Sequence, residues 1–93
     1  MTLIADMSYC YVCGRTEPLE THHCFHGTAN RRLADEDGMV VSLCPRCHRE
    51  VHRNAELDIR IKQEAQRIWM VRYHGTIEAF RVRYGKNYLE EEQ

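Results

Sequence analysis

The chain has 93 residues, 43% of them hydrophobic, and 13 Lys and Arg against 14 Asp and Glu give a formal net charge of -1. That length fits one domain at most, holds no apolar run able to span a bilayer, and buries a modest enough surface that an added staple is expected. The near-neutral balance excludes attachment to a polyanion by bulk positive potential alone.

Five cysteines and six histidines are the obvious source of a staple. Met1 to Tyr9 carries no basic segment followed by an apolar stretch, so no secretory signal is expected and the setting is read as a cytoplasm. In reducing surroundings paired thiols serve metal rather than disulfides, and an odd count of five fits a disulfide scaffold poorly.

In chain order, Cys10-Tyr-Val-Cys13 leads into Gly14, a glycine that lets the turn bring both thiols round to one ion. Leu19 to Phe25 has the composition of a short strand. Gly27 to Gly38 is polar and bounded by glycines, which predicts a loop carrying Arg31 and Arg32. Met39 to Leu43 predicts a second strand ending at Cys44. Pro45 then opens a helix, where its fixed backbone angle is favourable. This helix carries Cys47, His48 and His52, the two histidines four apart and so on one face.

The second half is helical. Asn54 can cap a helix whose first turn holds Glu56 and Asp58. Leu57, Ile61, Ala65, Ile68 and Trp69 recur at three or four residues, an amphipathic stripe to about Tyr73 that predicts core. His74-Gly75 stops it, and Thr76 can cap a last helix bearing Ile77, Phe80 and Tyr84. Seven basic residues between Arg60 and Lys86 exceed the acids around them, and Glu90 to Glu92, read as a solvated tail, offsets that excess. The whole is expected to be one α+β domain over 1–93. A stapled core over 10–53 would be supported by helices over 55–89.

Cys10, Cys13, Cys44 and Cys47 form two C-x₂-C pairs, the spacing of a closed four-sulfur zinc site. Metal bound this way contributes directly to folding. Cys24 is left over and is expected to be a small buried hydrophobe. Among the histidines, His48 and His52 make a two-nitrogen half-site, and His22 or His23 can supply a third nitrogen from the preceding strand. Three imidazoles leave coordination positions free, as a catalytic ion requires. The other member of the doublet can then act as a base, since an ordinary imidazole is largely neutral near pH 7. Adjacent strand residues point to opposite faces, so the two cannot both address one ion from a regular strand. His26 and His74 find no partner by spacing and are assigned surface or packing roles.

Cys-x₂-Cys, then His-His, then Leu-Cys-x₂-Cys-His-x₃-His resembles the HNH endonucleases of ββα-metal fold, in their zinc-stapled branch, over about Cys10 to Arg53. His48-Arg-Glu-Val-His52-Arg53 is also similar to the metal-binding helix of bacterial DNase toxins. The resemblance implies a structural Zn²⁺ on the four cysteines and a catalytic divalent ion (Mg²⁺, Mn²⁺, Ni²⁺ or Zn²⁺) on His22, His48 and His52. It implies that His23 activates the water that attacks a DNA phosphorus, leaving a 5′ phosphate. Such compact nucleases are common in phage and prophage genomes. Arg31 and Arg32 are the expected phosphate contacts. Met39 stands near where the family carries its middle Asn; Asn30 or Asp37 would have to brace the loop instead, and neither is at the family's position. No separate recognition module is evident, so targeting is left to a protein partner, to DNA structure or to the helical half. The alternative from another class is a non-catalytic zinc module that binds nucleic acid or protein.

Overall fold

The computed structural model describes residues 6–89; the acidic run Glu90 to Glu92 and the first residues of the Met1 to Tyr9 segment lie outside them. Two short strands, β1 (Glu20–His23) and β2 (Val40–Leu43), pair antiparallel with His22 opposite Val41 and His23 opposite Val40. Both fall within the segments of strand composition. Beyond His23 the Cys24 N–H still donates to the Met39 carbonyl at 3.1 Å, which carries the pairing to the core side of the site.

Between the strands the expected loop is a helix, α1 (Thr28–Asp37). The polarity of this segment obscured its good helix formers, Ala29, Arg31, Arg32, Leu33, Ala34 and Glu36. Its two glycines are the boundaries rather than breaks. Gly27 precedes the first turn, and Gly38 ends the helix in the left-handed region at φ 75°, a conformation that costs a residue with no Cβ little. A buried Ala34 anchors the inner face.

Three helices follow. α2 (Pro45–Arg53) begins with proline in its first turn after Cys44. α3 (Ala55–Arg72) is capped by the Asn54 side chain, which accepts from the N–H groups of Glu56 and Leu57 at 3.1 and 3.2 Å. α4 (Ile77–Tyr84) is capped by Thr76, whose hydroxyl accepts from the Ala79 N–H at 3.0 Å. The stripe on α3 is core as expected, with Ile61, Ala65 and Trp69 buried.

The molecule is thus a small α+β fold of a two-stranded sheet and four helices among the described residues. Its centre is aromatic: Phe25 packs against Phe80 with ring centroids 5.2 Å apart and against Tyr84 at 4.5 Å, and Trp69 closes on Phe80 at 5.4 Å. Phe25 follows β1 by two residues, so this packing sets the far end of the histidine-bearing strand against α4. Each such ring contributes roughly 1.5–3 kcal/mol by leaving water.

The end of α1 is tied down by one carboxylate. Asp37 is buried, and its Oδ2 accepts from Trp69 Nε1 at 2.8 Å, Tyr84 OH at 2.7 Å and Arg83 Nε at 2.7 Å. Its carbonyl accepts from Tyr73 OH at 3.0 Å. Asn30, one of the two residues expected to brace the loop, donates from Nδ2 to the Tyr84 carbonyl at 3.1 Å. α1 is therefore held by α3 and α4, and its position over the sheet is fixed from the helical half.

Candidate metal centre

The first turn of the site is built as its spacing indicates. Gly14 sits at φ 85°, its N–H donating to the Cys10 carbonyl at 2.9 Å, while the Tyr11 N–H ties the turn to the Ser42 carbonyl on β2 at 2.8 Å. The second pair straddles the start of α2, with Cys44 just before it and Cys47 inside its first turn. One sulfur from each of Cys10, Cys13, Cys44 and Cys47 lies within 4.8 Å of the others, and Cys13 Sγ stands 3.8 Å from Cys44 Sγ. A tetrahedron with ~2.3 Å zinc–sulfur bonds has edges of ~3.8 Å, so the cluster has the dimensions of a four-thiolate shell.

The electrostatics agree with that use. Burial pushes the Cys10 thiol upward, but backbone N–H donors from Cys13, Cys44 and Val12 outweigh it and bring it down to about 6. The Cys47 N–H lowers Cys44 in the same way. Cys47 is raised by burial and by the other three sulfurs. Four thiolates this close repel one another, and a divalent cation removes the repulsion. All five thiols are free of disulfides, and Cys24, fully buried, is pushed up to about 12 mainly by burial, as befits an inert core residue.

On the other side of α2 the imidazoles gather. His22 is 2% exposed, and its ring centroid lies 5.2 Å from His48 and 6.0 Å from His52. One nitrogen from each of the three falls within 4.8 Å of the others. The buried Nε2 of His22 has no hydrogen-bond partner. Such an orphan costs roughly 1–3 kcal/mol, and coordination to a cation would satisfy it. Burial first, then the neighbouring His48, His26 and His52, holds His22 down to about 4, against a smaller opposing effect of Asp58. The ring is consequently neutral, the form that ligates metal, well into the acid range. This donor set fits a first-row transition ion better than Mg²⁺, which prefers oxygen.

His23, the next residue, does not join this group. It takes the other direction at the end of β1, and its Nε2 meets Asp35 Oδ1 of α1 at 2.8 Å. His48 has a carboxylate of its own, Glu20 Oε1 at 2.7 Å from Nδ1. An ionised carboxylate only accepts, so each ring donates at that nitrogen and keeps the lone pair of its other nitrogen free. A cavity of about 500 Å³ opens here, lined by His22, His23, His26, His48, His52 and Arg31 among others.

Of the two arginines, only Arg31 reaches the cavity. Arg32 points to solvent and pairs with Glu36 one turn on, NH1 to Oε2 at 3.1 Å, because successive helical residues diverge by about 100°. His26 departs from its assigned role as well. Although exposed, it packs 5.7 Å from the His22 ring, and its Nε2 meets Asp58 Oδ1 of α3 at 3.2 Å. Neither His26 nor Asp58 is marked by spacing, since they lie 32 positions apart. His74 remains on the surface, with φ 54°.

Met39 is fully buried in the core, holding no side-chain hydrogen-bond partner for the loop. Its backbone does the bracing, the N–H donating to the Ala34 carbonyl at 2.8 Å and the carbonyl accepting from Cys24. Comparison of the chain with protein-family models, with curated proteins and with solved structures returns no match. No helix among the described residues is long and apolar enough to cross a membrane.

Proposed function

We propose that this chain is a metal-dependent endonuclease of the HNH type, with a zinc-stapled ββα-metal core formed by β1, β2 and α2, hydrolysing phosphodiester bonds in DNA. The observation that supports it best is the convergence of His22, His48 and His52 around an orphaned buried nitrogen, beside His23 and Arg31 on one cavity wall.

Cys10, Cys13, Cys44 and Cys47 would hold a structural zinc, fixing β2 and the start of α2 to the first turn. His22, His48 and His52 would hold a second divalent ion, which when bound supplies positive charge to offset that developing on the phosphate. Asp35 accepts the Nε2 proton of His23 and so leaves Nδ1 able to take a proton from water. The water oxygen attacks phosphorus as the bond to the 3′ oxygen breaks, and the departing oxygen takes a proton from solvent, giving a 5′ phosphate and a 3′ hydroxyl. Arg31 orients a phosphate at the rim, and the exposed Arg46, Arg49 and Arg53 on α2 add attraction for the strand.

A second reading, a non-catalytic zinc module for nucleic acid or protein, draws on Met39, a core residue near where the family places its Asn. Incubation of supercoiled plasmid with the zinc-loaded protein and added Mg²⁺, Mn²⁺, Ni²⁺ or Zn²⁺ separates the two. Conversion to nicked circles is expected, and intact plasmid under all four metals would favour the module.

A further inference from the structure

The three-imidazole group is not the only set of donors around His22. One nitrogen each of His22 and His26 and one carboxylate oxygen of Asp58 also lie within 4.8 Å of one another. His22 is shared between the two groups, and its buried Nε2 is the atom left without a partner. His52 stands between them, its ring 6.0 Å from His22 and 6.1 Å from His26. It also lines a second cavity of about 330 Å³ together with His26 and Asp58.

We infer that a divalent transition-metal ion has two alternative seats in this protein, His22–His48–His52 and His22–His26–Asp58, which compete for the same buried imidazole. The chemistry of the second seat differs from that of the first. Its ligands come from β1, from the segment just after it and from the first turn of α3, so an ion there bridges the sheet to the helical half. It also includes a carboxylate, which adds negative charge and oxygen character. Asp58 is presented for this by Lys62, whose ammonium meets Oδ2 at 2.8 Å and leaves Oδ1 toward His26. In the metal-free chain His26 Nε2 meets Asp58 Oδ1 directly, so an ion in this seat takes the place of that contact. Because one lone pair of His22 serves both seats, occupancy is one ion in either place, not two.

The inference rests on the histidine cluster and not on nuclease activity, so it is tested by metal content. Zinc-loaded protein is dialysed against Ni²⁺ and the nickel per chain is measured. Wild type is expected to keep one nickel. The His48→Ala/His52→Ala variant is expected to keep one as well, with affinity lowered about tenfold to a hundredfold on the scale of ligand-shell changes, and to lose it when Asp58→Asn is added. Retained thiolate zinc reports that each variant is folded. If the double variant loses its zinc, His52→Ala alone takes its place, with the same expectation and the same effect of adding Asp58→Asn. Loss of all nickel from a folded His48→Ala/His52→Ala or His52→Ala protein would overturn the inference, as would nickel that survives Asp58→Asn unchanged. Absence of plasmid nicking with these nickel results intact would count against the nuclease reading alone.

Discussion

Glu20 Oε1 lies 2.7 Å from His48 Nδ1, so the first residue of β1 fixes the ring that α2 presents to the histidine cluster. The contact sets the tautomer and ring orientation, leaving Nε2 of His48 as the nitrogen free to ligate. Glu20→Gln keeps the shape but removes the charge. Nickel or zinc affinity at the histidine cluster is expected to fall about tenfold to a hundredfold, with thiolate zinc unchanged. Competitive titration against a chelator indicator checks this, and equal affinity would mean that the carboxylate is only a surface partner.

Asp37 makes a second prediction, on stability and pH. Burial alone would raise its carboxyl, but donors from Arg83, Tyr84 and Trp69 prevail and hold it below the usual 3.8. A carboxyl depressed in the folded state contributes stability above its unfolded pKa and loses it as pH falls through the folded value. Acid unfolding below about pH 4 is therefore expected to depend on this residue. Asp37→Asn should cost about 2–4 kcal/mol near pH 7, since Arg83, Trp69 and Tyr84 lose the charged acceptor they share and Arg83 keeps only Glu36. Urea unfolding of both proteins at pH 7 and pH 3 should show the difference shrinking in acid.

That same network marks the boundary of what local patterning conveys. The two thiol pairs, the cap at Asn54 and the core stripe of α3 were legible because their signals span a few residues. The segment from Gly27 to Gly38 was misread because polarity and flanking glycines describe a capped surface helix as well as a loop. Asp37 gathers donors from 32 to 47 positions away, and no periodicity connects them. His26 and Asp58 escaped for the same reason. Two side chains brought together by the α2–α3 corner leave no trace at either position, whereas the pair at 48 and 52 is announced by one helical turn.

Gly75 is needed for space. A Cβ there would stand 2.5 Å from Cζ3 of Trp69 and 2.9 Å from Cη2. The indole cannot retreat freely, because Nε1 is bound to Asp37 and the ring packs against Phe80 and Tyr73. Gly75→Ala is expected to destabilise by about 1–3 kcal/mol through overpacking. The signature is a lowered melting temperature with altered tryptophan fluorescence, while zinc-loaded protein keeps its zinc content.

His23 and Asp35 give the prediction on chemistry, since they face each other at 2.8 Å and neither contributes to the three-imidazole group. If His23 takes the proton of the attacking water, His23→Ala should slow nicking by roughly 10²–10⁴-fold while metal content and melting temperature stay put. Asp35 touches no reacting atom in this scheme and acts by orienting the ring, so Asp35→Asn should cost less. Its amide can still accept from His23 Nε2–H but no longer stabilises the protonated imidazole. The Asp35→Asn protein is therefore expected to nick more slowly with its metal content and melting temperature unchanged. A His23→Ala protein that nicks at the wild-type rate would remove His23 from the mechanism, and with it the reason to assign Asp35 any role beyond capping a surface contact.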